Sequence, residues 1–178
     1  MKYFEDTIRY GLTPTLRWGK DFPHSARFMF WFRMAQGTNN IFFYYLSRYM
    51  LSRYREKYCL EIPRQVVIGY GLFLGHAYNI TVNQDATLGM NCNIHKGVTI
   101  GQENRGSKKG SPTIGNDVWI GVNATVVGKV TIGDDVLIAP NCFVNCDVPS
   151  HSIVIGNPCI IKHKDWATES YISNKISM

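Results

Sequence analysis

The sequence predicts a mainly β protein, a parallel β-helix of six-residue repeats with a helical segment before it and a short tail after it. Three observations carry this. First, an aliphatic residue returns every six positions through Ile62, Ile68, Leu74 and Ile80, and, after a slip of two residues, through Val82, Leu88, Ile94 and Ile100. After an interruption the series resumes at Ile114, Ile120, Val126, Ile132 and Ile138. Second, four residues after most of these comes a small or branched residue: Val66, Leu72, Ala86, Cys92, Val98, Val118, Ala124, Val130, Val136 and Cys142, with Tyr78 the exception. A fixed short period is the sequence sign of a solenoid. Six residues make a strand and a turn, and three such units make a triangular coil whose inward pairs stack into one core. Third, the run lacks the spacings of three and four that a helix needs. A sandwich of short strands does not hold a six-residue register for so long.

The chain has 178 residues, 45% of them apolar, which suits one principal domain with a core of useful size. Its net charge is +6, but the basic residues are spread along the chain, with one small cluster at Arg105, Lys108 and Lys109. No nucleic-acid motif accompanies them, and a basic surface for phosphate or other anionic small molecules fits at least as well, so no nucleic-acid partner is expected. The five cysteines are odd in number and form no CxxC pair, and Cys92 and Cys142 fall on inward positions. They read as mostly buried, reduced cysteines of a cytoplasmic protein. Met1–Tyr10 is mostly charged and polar, so no secretory signal is expected, and Arg33 and Arg48 interrupt the apolar stretches that could otherwise span a membrane.

In chain order, residues 1–59 form the expected N-terminal helical segment. Gly11, Pro14 and Gly19 are turn signals, and two amphipathic helices are expected over about Ser25–Gln36 and Asn40–Lys57, joined at Gly37-Thr38-Asn39-Asn40. Phe28, Phe30, Trp31 and Phe32 are too many for one face of an isolated helix. They are expected to pack on the solenoid end or on a neighbouring subunit; a peripheral membrane or lipid-linked contact is the second reading. Residues 60–158 are the solenoid domain, with 102–111, which carries no inward residue, thrown out as a basic, polar loop suited to ligand contacts. The tail 159–178 is expected to cover the open end of the solenoid.

The run GLFLGHAYNITVNQDATLGMNCNIHKGVTIGQ, the loop, then PTIGNDVWIGVNATVVGKVTIGDDVLIAPNCFV and VPSHSIVIGNPCIIK resemble the serine acetyltransferase group of hexapeptide-repeat acyltransferases over residues 60–162. ARFMFWFRMAQ, Ala26 to Gln36, is similar to the short polysaccharide-locus members. The resemblance implies a left-handed coil, homotrimers or paired trimers, acetyl-CoA as co-substrate, no metal, and acetyl transfer to a hydroxyl. It places the catalytic histidine at His76 and its acidic partner at Glu61, where the family more often has aspartate. The chemistry asks for such a pair, because an alcohol at neutral pH needs a base to take its proton and a carboxylate fixes the imidazole tautomer. The acetyl-CoA positions implied by the resemblance are Gly101, Gly121, Val122, Ala139 and Pro140, with Lys162 placed to meet nucleotide phosphates.

Departures bear on the acceptor. The group has an aspartate before the histidine and an Arg-His pair before the proline that restarts the solenoid; here these are Gly75, Gly110 and Ser111. Losing charged partners for a zwitterion costs roughly several kcal/mol, although Arg105, Lys108 and Lys109 could replace part of the carboxylate contact. A sugar hydroxyl of a surface polysaccharide is therefore the favoured acceptor, and serine the alternative. Two other classes stay open. The same solenoid hosts zinc enzymes with three histidines, but beside His76 and His95 no third ligand is suitably spaced, since His24, His151 and His163 lie outside the central coils. A non-catalytic assembly scaffold is the other.

Overall fold

The computed structural model describes residues 5–12 and 22–177; Pro14 and Gly19 lie outside them. Three sheets form the faces of a triangular prism. The first stacks β1 (Leu60–Glu61), β4 (Ile80–Val82), β7 (Thr99–Gly101), β10 (Thr125–Val127) and β13 (Phe143–Val144), all parallel. The second stacks β2 (Val67–Ile68), β5 (Thr87–Leu88), β8 (Thr113–Ile114) and β11 (Thr131–Ile132). The third stacks β3 (Phe73–Gly75), β6 (Asn93–His95), β9 (Trp119–Ile120), β12 (Val136–Ile138) and β14 (Ser152–Ile155), closed by the antiparallel β15 (Ile160–His163). Every aliphatic position of the six-residue series, and each small partner, is buried in one continuous core.

The slip of two residues has a structural meaning. Leu60 pairs with Ile80, whereas Ile100 pairs with Val82, and both Ile80 and Val82 point inward from β4. The extra residues lie in the corner between β3 and β4, from His76 to Asn79, where His76 (φ 50°) and Asn79 (φ 53°) are left-handed and Tyr78 is turned outward. The exception at Tyr78 is thus part of an enlarged corner rather than a fault in the repeat.

Two helices precede the prism: α1 (His24–Gly37) and α2 (Ile41–Tyr58). Asn40 caps α2, its side-chain oxygen accepting from the Phe42 and Phe43 N–H groups. The aromatic run divides by helix geometry: Phe28 and Phe32 enter the core, Trp31 packs partly against it, and Phe30 is half-buried. On α2, Ile41, Phe42, Tyr45 and Tyr49 are exposed. Among the described residues no helix is long and apolar enough to cross a membrane.

The tail departs from expectation. Only β15 lies at the open end; the chain then turns back along the outer face of the third sheet. Asp135 accepts hydrogen bonds from the Ala167 and Thr168 N–H groups and the Thr168 hydroxyl, Tyr171 packs on Trp119 at 5.1 Å, and Asn91 pairs with the Ile176 backbone. The cause is polar: Asn91, Asn93 and Asp135 need partners that the turns and backbone of the tail supply. The cysteines also divide. Cys92 and Cys142 are buried, and burial pushes the Cys92 thiol up to about 12. Cys59 is exposed, and the half-buried Cys146 and Cys159 sulfurs lie 3.7 Å apart.

Candidate functional site

His76 projects from the enlarged corner on the edge where the third sheet passes into the first. It is exposed, and the corner beneath it is held from two sides. The Asn79 N–H donates to the Tyr58 carbonyl at 2.9 Å, and His24, the first residue of α1, places its Nε2 3.0 Å from the Ala77 carbonyl. His24 also stacks on Tyr58 at 4.4 Å and approaches Tyr78 at 5.0 Å. The sequence set His24 apart from the central coils; the helix returns it to the corner that carries His76, and no sequence spacing reports such a contact.

The same edge carries other expected residues. In register, β3 pairs with β6 and β9 with β12, so His76, Lys96, Val122 and Pro140 occupy equivalent corner positions on successive coils. Gly121 and Ala139 lie just before that corner, and a Cβ on Gly121 would stand 2.6 Å from the Pro140 nitrogen. Close coil stacking alone therefore requires glycine there. The N–H groups of Gly121 and Ala139 are engaged with Ile138 and Val154, so these positions offer a narrow, side-chain-poor strip rather than free donors. Lys96, exposed beside His76 on the next coil, was not singled out from sequence.

Three expected residues stand apart. Gly101 ends β7 at the opposite margin of the first sheet. Lys162 lies exposed on β15, opposite Ile153 at the far end of the third sheet. Glu61 faces outward from β1, opposite Thr81, and among the described residues no hydrogen bond or ion pair joins it to His76. The loop 102–111 is a small hairpin closed by paired Glu103–Gly110 backbone hydrogen bonds, its base tied by the Ser111 hydroxyl donating to Asn83 at 2.9 Å. Lys108 is turned to Asp147 at 3.7 Å. Among the described residues no three His, Cys, Asp or Glu converge to hold a metal ion.

His95 answers the question raised by Gly75. The two are register partners, and a Cβ on Gly75 would fall 2.3 Å from His95 Nδ1. The imidazole fills the space where a side chain at position 75 would go. It is walled by Trp119 at 4.7 Å and Phe73 at 6.5 Å, and its Nε2 is buried with no hydrogen-bond partner among the described residues. Burial, and then the neighbouring His76, hold its pKa below the ordinary histidine value, so the ring is neutral at pH 7. A neutral ring thus occupies the place of the group's aspartate. Gly75→Ala is expected to cost roughly 1–3 kcal/mol through overpacking, and His95→Ala in the same chain to recover most of it. Thermal denaturation of the two single variants and the double variant measures that coupling; additive effects would contradict the contact.

A bacterial transferase hexapeptide model (six repeats) matches residues 111–146. A serine acetyltransferase of Helicobacter pylori is 32% identical over 134 residues, covering 75% of this chain and 78% of that protein. The crystal structure of serine acetyltransferase from Brucella abortus superposes with a TM-score of 0.72 at 25% identity, over 91% of this chain and 67% of that one. Soybean serine acetyltransferase complexed with serine superposes with a TM-score of 0.59 at 30% identity, over 66% of this chain; the chain spans 48% of the soybean protein. The parallel sheets and the matched repeats fit a left-handed β-helix. By fold, register and similarity over most of both chains, the protein belongs to the serine acetyltransferase family of hexapeptide-repeat acyltransferases.

Proposed function

We propose that the chain transfers the acetyl group of acetyl-CoA to the hydroxyl of L-serine, with His76 as general base. The observation that carries this is the shared edge: an exposed histidine on an enlarged corner, and on higher coils of the same edge a side-chain-poor strip at Gly121, Val122, Ala139 and Pro140. A pantetheine arm along that strip would present its thioester to His76. His76 takes the hydroxyl proton as the oxygen attacks the carbonyl carbon; the tetrahedral intermediate then breaks its C–S bond, and the thiolate leaves with the proton from His76. Glu61 is the residue to steady the imidazolium, from the adjoining face; apo geometries of such pairs are commonly loose. Lys162 would meet the nucleotide phosphates.

Gly101 lies at the other margin of the first sheet from Gly121, so one chain does not bring the two together. A homotrimer, with the groove formed between two chains, is part of the same proposal, as is a cytoplasmic setting. The relatives support serine as acceptor and give no support to the polysaccharide sugar that the sequence put first. What keeps a sugar hydroxyl as a second reading is the Gly75–His95 pair and the uncharged Gly110 and Ser111, which leave a zwitterion without three charged contacts. Thiol release from acetyl-CoA, measured with L-serine and with a panel of sugars, decides between them. Serine-dependent release is expected; release with a sugar alone would overturn the serine reading.

A further inference from the structure

We infer that the cleft between α2 and the first coil is an anion site that holds the carboxylate or phosphate of the hydroxyl acceptor, an inference that rests on the acetyltransferase reading. The cleft has a volume of about 550 Å³, within the roughly 300–1,000 Å³ typical of small-molecule sites. Its wall includes Arg48, Arg55, Arg64 and Glu61. Arg48, Ser52 and Arg55 fall at i, i+4 and i+7 on α2, one face of the helix, and Arg64 comes from the turn after β1.

Two features make this more than a solvated basic surface. The cations are positioned: Arg48 and Arg64 both stand over the Tyr44 ring, at 5.6 and 5.5 Å, and Arg48 donates to the Tyr44 hydroxyl at 3.3 Å. The turn carrying Arg64 is itself fixed, because the Gln36 amide donates to the Arg64 and Val66 carbonyls at 2.9 and 3.0 Å. They are also uncompensated: among the described residues none of the three guanidiniums has a carboxylate within ion-pair distance, and Glu61 is the one acidic residue in the wall. Three like charges on the wall of one cleft repel one another, and planar guanidiniums suit bidentate binding of carboxylate or phosphate. Glu61 ties the cleft to the proposed chemistry, since its register partner Thr81 lies on the strand that follows the His76 corner. Lys162, proposed for the phosphates of acetyl-CoA, lies at the opposite end of the prism, which leaves this cleft to the acceptor.

The test combines binding and kinetics on the full chain. Isothermal titration with inorganic pyrophosphate is expected to show binding that Arg55→Gln/Arg64→Gln weakens at least tenfold. Pyrophosphate should inhibit transfer competitively with the acceptor and not with acetyl-CoA. L-serine should be a better acceptor than L-serinamide, and the double variant should remove most of that preference by raising KM more than it lowers kcat. Unchanged pyrophosphate binding in the double variant, or competition with acetyl-CoA alone, would overturn the inference. If no acceptor is acetylated, the acetyltransferase reading fails while the binding arm still decides the site. Arg55→Gln alone, at an exposed side chain, serves if the double variant does not fold.

Discussion

His76→Asn is expected to lower acetyl transfer by about 10²- to 10⁴-fold, the usual contribution of a general base, while leaving the thermal midpoint and acetyl-CoA binding nearly unchanged. Asparagine is chosen for a backbone reason. His76 sits at φ 50°, a left-handed conformation that asparagine adopts far more readily than alanine. The variant therefore keeps the corner and removes only the group that accepts a proton. His76 is exposed, and among the described residues it makes no hydrogen bond that the fold depends on; the corner is held through Ala77 and Asn79 instead. Acetyl-CoA binding should persist because Gly121, Val122, Ala139 and Pro140 lie on higher coils of the edge. Equilibrium binding and initial rates measured on one preparation separate these effects. An asparagine variant retaining more than a tenth of the wild-type rate would show that His76 is not the base, and would move attention to His95 and His24, the other imidazoles near this corner.

The prism was legible because its cause is local and repetitive. Each inward position, from Ile62 to Ile138, answers the same demand for an aliphatic residue at the same point of a coil, and every one is buried. Even the fault in the period was informative, since the two-residue slip before Val82 marks the corner that carries His76. What stayed hidden depends on contacts between segments distant in sequence. His24 reaches Ala77 across 53 positions, and the tail reaches Asn91 across 85. Neither spacing leaves a periodic trace. Gly75 stands out in the sequence as an uncharged position, but the ring of His95 from the next coil, which fills the space beside it, needs the register. Arg33 interrupts an apolar stretch, and among the described residues no helix is long and apolar enough to cross a membrane. What the sequence did not show is that its side chain is only 7% exposed and is paired inside the protein.

That burial underlies the largest stability effect expected. Asp6→Ala should destabilise the protein by about 3–5 kcal/mol, the usual result of removing one partner of a buried pair. For a chain of this length that corresponds to a fall of roughly 6–20 °C in thermal midpoint. Asp6 is 1% exposed; one oxygen lies 2.7 Å from Arg33 Nε, and the other accepts from Arg33 Nη2 at 3.2 Å and from the Gly71 and Leu72 N–H groups at 2.7 and 3.0 Å. Arg33 in turn donates to the Ile68 and Gly69 carbonyls at 2.7 and 2.6 Å. Without Asp6 a buried guanidinium loses its counter-charge and two buried N–H groups lose their acceptor. Arg33→Met added to Asp6→Ala should recover part of the loss by removing the stranded charge. It should not recover all of it, because the carbonyls and N–H groups of residues 68–72 would still lack partners, at roughly 1–3 kcal/mol for each buried group left unmade. The pair closes the lower end of the solenoid, where the first coil has no coil beneath it to satisfy its backbone. Urea denaturation of the two variants decides the matter: a loss below about 1 kcal/mol for Asp6→Ala would mean that the other contacts of α1, among them Phe28 and Phe32 in the core and the His24 and Gln36 hydrogen bonds, hold it to the prism, and that the ion pair contributes nothing net.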